Sequence, residues 1–236
     1  MSRARIAVLA SGGGSNLQAL LDYFTELGER RAGDVVLVAS DKRAAGALAR
    51  GAAAGARTAV LQSAREPEGS ALDTLLSDNA IDLVVLAGYL KMISPEVTRR
   101  LSGRMVNVHP ALLPDFGGAG MYGMHVHRAA LAARAERSGP TVHFVDEHYD
   151  HGAIIAQWSV PVRAGDDGSA LAARVLRAEH LLYPRVVQRV AEGVVRLTAD
   201  GRVDPPLVRA GRSLPTFDPE LDDRSLAARL DDALAS

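Results

Sequence analysis

The sequence predicts an α/β fold: a doubly wound, mainly parallel sheet with helices on both faces, followed by a C-terminal hairpin and tail. Three observations predict it. Short apolar runs alternate with helical apolar faces through the first half of the chain. The runs are continuous rather than alternating, so they read as strands buried on both faces. The first run ends in a glycine-rich turn that opens a helix, the junction found in Rossmann-like sheets.

The elements follow in order. Ile6–Ala10 is a buried strand ending at Ser11-Gly12-Gly13-Gly14. Ser15–Leu27 is a helix with Leu17, Leu20, Leu21, Phe24 and Leu27 on one face. Val35–Ala39 is the second strand, Lys42–Ala54 an alanine-rich helix closed by Gly55, and Thr58–Leu61 a third strand. Ser70–Leu76 is helical, and Leu83–Ala87 and Met105–His109 are the fourth and fifth strands. Pro110–Met124 is a loop and His127–Ala135 a helix. Thr141–Val145 and Ile154–Val160 are two later strands, and Ala170–Val190 is a long helix. Val194–Thr198 and Arg202–Val203 flank Ala199-Asp200-Gly201 as a hairpin. Residues 1–204 are expected to form the main domain. Residues 205–236 form an acidic tail in which Leu221–Leu234 has the pattern of a docking helix.

Composition narrows the function. The 236 residues are 47% hydrophobic and 23% charged, enough for one sizeable core and too apolar for a disordered chain. No apolar run reaches the ~20 residues of a membrane span, and the first ten residues lack the pattern of a signal peptide. The absence of cysteine excludes disulfides, thiolate zinc sites and thiol nucleophiles. Cytoplasmic residence is the default expectation. The net charge of −1 argues against a dedicated nucleic-acid binder. It divides into −4 over residues 216–236 and +3 over the rest, and a mildly cationic body suits anionic small ligands.

Three segments carry candidate chemistry. In Ser11–Asn16, glycines let backbone N–H groups approach an anion, and the following helix adds a positive N-terminus. Ser15 and Asn16 are placed either to cap that helix or to donate to phosphate. The loop lacks the lysine of a P-loop, and Leu17 stands where a dinucleotide fingerprint needs glycine or alanine. Phosphate binding is favoured over a plain turn. In Met105–Pro110, strand alternation puts Asn107 and His109 on one face at the carboxyl end of a central strand, where open α/β sheets bind ligands. An amide donor beside an imidazole suits acyl transfer. In His148–Gly152, Asp150 is within range of such an imidazole only if the fold brings the loop back; on the residues alone this is an ordinary turn. The pairs His125-x-His127 and His148-x-x-His151 are weighed as metal ligands and read as solvated loop histidines, so no metal is expected.

Six segments make a specific combination: Ala-Ser-Gly-Gly-Gly-Ser-Asn at 10–16, Val-Val-Leu-Ala-Gly-Tyr-Leu-Lys at 84–91, Asn-Val-His-Pro-Ala-Leu-Leu-Pro at 107–114, Gly-Pro-Thr-Val-His-Phe-Val-Asp at 139–146, Asp150-His151-Gly152, and Ala-Glu-His-Leu-Leu-Tyr-Pro at 178–184. In that order they resemble the phosphoribosylglycinamide formyltransferase family over about residues 5–200. The resemblance implies a catalytic trio of Asn107, His109 and Asp150. It implies that Gly14, Ser15 and Asn16 hold the ribonucleotide phosphate and that Glu179 binds the same substrate. It further implies a folate pocket made of Arg65, Leu90, Lys91, Met92, Ile93, Asn107, Asp146 and Asp150. The co-substrates would be 10-formyltetrahydrofolate and glycinamide ribonucleotide, used by a monomer or homodimer without nucleic acid or membrane. Asp150 is expected to favour the imidazolium form of His109. Lys91 stands where many relatives carry Arg, and Asp115–His127 is expected to form a mobile flap over the ribonucleotide.

Three other readings remain. A formyltetrahydrofolate deformylase would use the same trio on water; it usually carries an N-terminal regulatory domain, whereas this sequence opens on the first strand. A methionyl-tRNA formyltransferase would need a basic C-terminal domain. A non-catalytic nucleotide-binding module is permitted by the glycine loop but leaves the trio unexplained.

Overall fold

The computed structural model describes residues 2–61 and 70–205, with residues 228 and 232 of the tail. The expected docking helix otherwise lies outside the described residues.

The first half alternates as the apolar pattern predicts. It runs β1 (Ala4–Leu9), α1 (Ser15–Leu27), β2 (Gly33–Ser40), α2 (Gly46–Ala53), β3 (Arg57–Val60), α3 (Ser70–Asp78), β4 (Leu83–Leu86), α4 (Pro95–Arg100) and β5 (Met105–His109). After the loop come α5 (Met124–Ala132), β6 (Arg137–Ser138), β7 (Thr141–Phe144), β8 (Ile154–Gln157), β9 (Val160–Pro161), α6 (Gly168–Ala191), β10 (Arg196–Leu197) and β11 (Val203–Asp204). Seven strands form one sheet in the order β3-β2-β1-β4-β5-β7-β8. The β3-to-β5 pairings are parallel, and β5–β7 and β7–β8 are antiparallel. β10 and β11 make the expected C-terminal hairpin.

The sheet is buried on both sides because its strands are apolar on both. Ile6 and Val8 point into one core with Leu17, Leu20 and Phe24 of α1 and Val175, Leu182 and Val186 of α6. Ala7 and Leu9 point into a second core with Leu76 of α3 and Val97 of α4. Tyr183 of α6 pins the long helix to the sheet: its hydroxyl lies 2.9 Å from the Leu86 carbonyl and 3.1 Å from that of Val106. Leu86 ends β4, so this contact places the preceding turn of α6, with Glu179, over the carboxyl edge of that strand.

Four expectations need correction. α2 begins at Gly46, not Lys42, because residues 42–45 form a turn and Ala47 instead donates its N–H to the Gly12 carbonyl (3.2 Å). α5 begins three residues earlier than expected, at Met124, and ends before Arg134, whose φ of 54° is left-handed. The Asp115–His127 flap is therefore partly helical. Ile154–Val160 is not one strand: the Trp158 N–H turns to the Pro140 carbonyl (3.1 Å), and Val160–Pro161 pairs with β6 in a separate ribbon. α4 was not expected at all. Its six residues are too few for periodicity, although Ser94 at the N-cap and Pro95 at the first position signalled it.

Candidate active site

A cleft of about 530 Å³ opens at the carboxyl edge of the sheet, beside β4 and β5. This is the ligand-binding edge of open α/β sheets. Asn107 and His109 reach it from β5, as alternation required, and both line it. Asp150 arrives from the loop after β7. Its φ of 55° is left-handed, an unfavourable conformation for a residue other than glycine. Behind it, Gly152 passes so close to the Phe144 carbonyl that any Cβ would collide with it.

The trio converges. His109 Nδ1 lies 3.3 Å from Asp150 Oδ2, with the His109 side chain 4% exposed. Asn107 Nδ2 donates to Asp150 Oδ1 at 3.4 Å. The Gly118 N–H donates to Asp150 Oδ2 at 3.0 Å. Burial would raise the Asp150 carboxyl, but His143, His109 and the Gly118 N–H together hold it below its ordinary value. His109 Nε2 faces the Phe116 carbonyl at 2.8 Å. A carbonyl only accepts, so Nε2 carries a proton. Asp150 does pull His109 toward imidazolium, as expected, but it does not set the net direction. Burial is the larger influence and lowers the imidazole below its ordinary value, against the opposing pull of Asp150 and the Phe116 carbonyl.

A fourth member escaped the sequence reading. His143 sits directly opposite Asn107 in the β5–β7 register. Its Nε2 is 3.1 Å from Asn107 Nδ2 and 3.6 Å from Asp150 Oδ1. The signal was present, since His143 alternates with Thr141 in a strand beside the one carrying Asn107. His127 of α5 also lines the cleft, and its Nδ1 is buried without a hydrogen-bond partner. Burial lowers its pKa and the nearby His109 lowers it further.

At the other end of the cleft, Asn16 Nδ2 donates to Glu179 Oε2 at 2.7 Å. Burial raises the Glu179 carboxyl to about 7, opposed by that hydrogen bond. Asn16 and Glu179 line the cleft; Gly14 and Ser15 do not, and Ser15 faces a separate surface hollow. No side chain caps α1; Gly14 occupies the cap with φ 77°. The first turn of α1 therefore keeps N–H groups free of helical acceptors. Arg50, unremarked in the sequence, braces this loop: its Nε donates to the Gly13 carbonyl at 2.8 Å and its Nη1 to Gln18.

Of the expected folate set, Leu90, Lys91, Met92, Ile93, Asn107, Asp146 and Asp150 all line the cleft. Arg65 lies outside the described residues. The wall is largely apolar, with Leu86, Val108 and Val145 beside these residues, which suits a flat heterocycle held by a few polar groups.

The family model described as formyl transferase matches residues 4–187. The chain belongs to the formyl transferase family. It is 43% identical over 204 residues to the chloroplastic phosphoribosylglycinamide formyltransferase of Vigna unguiculata, covering 84% of this chain and 64% of that one. It is 41% identical over 205 residues to the trifunctional purine biosynthetic protein adenosine-3 of Bos taurus, covering 85% of this chain and 20% of that one. The chain thus spans somewhat under two thirds of the plant relative and a fifth of the bovine one. Among solved structures, glycinamide ribonucleotide transformylase 1 from Symbiobacterium toebii superposes with a TM-score of 0.77 at 38% identity, covering 85% of this chain and 93% of that one. Among the described residues, no helix is long and apolar enough to cross a membrane.

Proposed function

We propose that this formyl transferase moves the formyl group of 10-formyltetrahydrofolate to the amine of 5-phosphoribosylglycinamide, giving formylglycinamide ribonucleotide in purine biosynthesis. The observation that carries the proposal is the meeting of Asn107, His109 and Asp150 in one cleft whose far end holds Asn16 and Glu179. One end suits an acyl-transfer transition state and the other a sugar phosphate beside a helix N-terminus.

The amine attacks the formyl carbon and a tetrahedral oxyanion develops. The Asn107 amide and a protonated His109 stabilise it. The intermediate then collapses by breaking the bond between that carbon and the folate N10, and the proton given up by the attacking amine passes to N10, releasing tetrahydrofolate and formylglycinamide ribonucleotide. Both Nδ2 protons of Asn107 are engaged, so one partner must yield. The 3.4 Å bond to Asp150 is weaker than the 3.1 Å contact with His143 and is the one released. The Phe116 carbonyl must likewise withdraw from His109 Nε2 before that N–H meets a substrate oxygen. Asp150 keeps the imidazole oriented and offsets part of the cost of charging it in a buried site. Glu179 and Asn16 bind the ribonucleotide, with the α1 N-terminus and the glycine loop on its phosphate. Residues 1–204 carry the activity, and the acidic tail lies outside it. Cytoplasmic residence and a monomer or homodimer complete the proposal.

The test is an ultraviolet assay for loss of the 10-formyl group, with and without glycinamide ribonucleotide. Turnover that depends on the ribonucleotide supports the proposal. Rapid formate release without it would identify a deformylase instead.

A further inference from the structure

The loop between β7 and β8 carries a second group of side chains besides Asp150. Asp146, His148 and His151 each bring one potential ligand atom within 4.8 Å of the others, and among the described residues no other trio of such groups converges. Within the trio, His151 Nδ1 lies 2.8 Å from Asp146 Oδ2. The His148 N–H donates to Asp146 Oδ1 at 2.8 Å, so the turn itself folds the histidine back over the carboxylate. The two imidazoles stand edge to face with centroids 5.6 Å apart.

We propose that Asp146, His148 and His151 form a binding site for a divalent transition-metal ion of the zinc type. Two imidazole nitrogens and one carboxylate oxygen are a donor set for zinc, not for magnesium or calcium, which take oxygen ligands. Bonds of about 2 Å to a tetrahedral ion put ligand atoms roughly 3.3 Å apart. The trio therefore has to close by an ångström or so. The side chains are free to do this: His151 is 75% exposed and Asp146 36%. The loop beneath them is held by other means. The Val145 N–H bonds to the Met105 carbonyl (3.0 Å), Glu147 pairs with Arg99 (2.7 Å), and Asp150 is tied into the trio of the cleft. Three protein ligands leave a fourth position open, as in zinc sites that exchange a water. Asp146 and His148 also line the cleft, so a bound ion sits on its rim four residues or fewer from Asp150. The two histidines that looked like solvated loop residues gain a third ligand, Asp146, from the same turn.

The test uses the full chain without any added histidine tag. Zinc chloride titrated by calorimetry should bind at one ion per chain and raise the melting temperature, because an ion that binds only the folded chain stabilises it. Cobalt loading should give the visible absorption bands of a four-coordinate site. His148→Ala/His151→Ala should fold as the parent does, since both side chains are exposed, and should bind zinc more than roughly 10-fold more weakly without the cobalt bands. Asp146→Asn, which keeps the size and removes the charge, should also weaken binding. Magnesium should not bind. Zinc affinity unchanged in the double variant, equal affinity for magnesium, or no zinc binding by the parent chain would each overturn the proposal.

Discussion

The amide of Asn107 is held in one orientation by His143, its direct neighbour across the antiparallel β5–β7 pair. His143 Nδ1 lies 2.7 Å from the Phe144 carbonyl and must donate to it. In the neutral imidazole, Nε2 is therefore an acceptor, and it accepts a hydrogen bond from Asn107 Nδ2 at 3.1 Å. Asn107 cannot flip without setting its own oxygen against that lone pair. His143→Ala should remove this constraint. We expect a 10- to 100-fold fall in kcat, roughly the cost of a misplaced catalytic group, with the ribonucleotide KM little changed. His143→Gln should recover part of the loss. Asn107→Ala and His109→Ala should each cost ~10²–10³ in kcat with the fold retained. Full activity in a folded His109→Ala variant would refute the assignment of His109.

The environment of His109 makes a sign-specific prediction for pH. Burial lowers its pKa, and the Asp150 carboxylate opposes that shift. In an NMR titration the parent imidazole should lose its proton below the ordinary value of 6.5. Asp150→Asn removes the opposing charge, so the transition should move to still lower pH. A group depressed in this way favours folding above its unfolded pKa, and that contribution is lost as pH falls through the folded value. A titration shifted to higher pH in Asp150→Asn would contradict this reading.

Much of this arrangement was legible in the sequence because it depends on local rules. Alternation along Met105–His109 put Asn107 and His109 on one face, and the continuous apolar runs set the parallel strands. What could not be read was convergence across distance. Asp150 looked like a turn residue because Gly118 and Asn107, which bond to it, are 32 and 43 residues away. His143 stayed hidden because its role depends on an antiparallel register, not on spacing. The net lowering of His109 was missed for a related reason: burial is a property of the assembled cleft, whereas the carboxylate could be imagined from the chain. The strand at 154–160 was overextended because β-branched residues continue past the point where Trp158 leaves the sheet.

The burial of Glu179 ties its protonation to stability. Its carboxyl is raised from an ordinary 4.5 to about 7 by burial. The folded state then holds a proton that the unfolded chain has already lost between these values. Stability from this group is fully present below about pH 4.5, declines as pH rises, and is gone above about pH 7. The shift corresponds to about 3 kcal/mol. Glu179→Gln abolishes the titration. Denaturant unfolding should therefore show the variant gaining on the parent between pH 5 and pH 8, while its ribonucleotide KM rises because the carboxylate is gone. Parallel stability curves for the two proteins over that range would show that Glu179 is not protonated in the folded chain.

The glycine loop offers a paired test in which neighbouring residues of the same type should behave differently. Gly14 has φ 77°, and a Cβ there would stand 2.8 Å from both Cα and Cβ of Ala47, where neither atom can move without shifting α2. Gly12 has no left-handed φ and nothing within 4 Å of the same added atom. Gly14→Ala should cost about 2 kcal/mol through strain and displacement of α2. It should also raise the ribonucleotide KM more than it lowers kcat, because the loop at the α1 N-terminus moves while the Asn107–His109–Asp150 cluster does not. Gly12→Ala should stay within about 0.5 kcal/mol of the parent. If its ribonucleotide KM nevertheless rises sharply, the backbone at Gly12 approaches the phosphate directly; if neither variant alters KM, the anion is bound elsewhere. Unfolding curves and steady-state kinetics on the same two variants separate these outcomes.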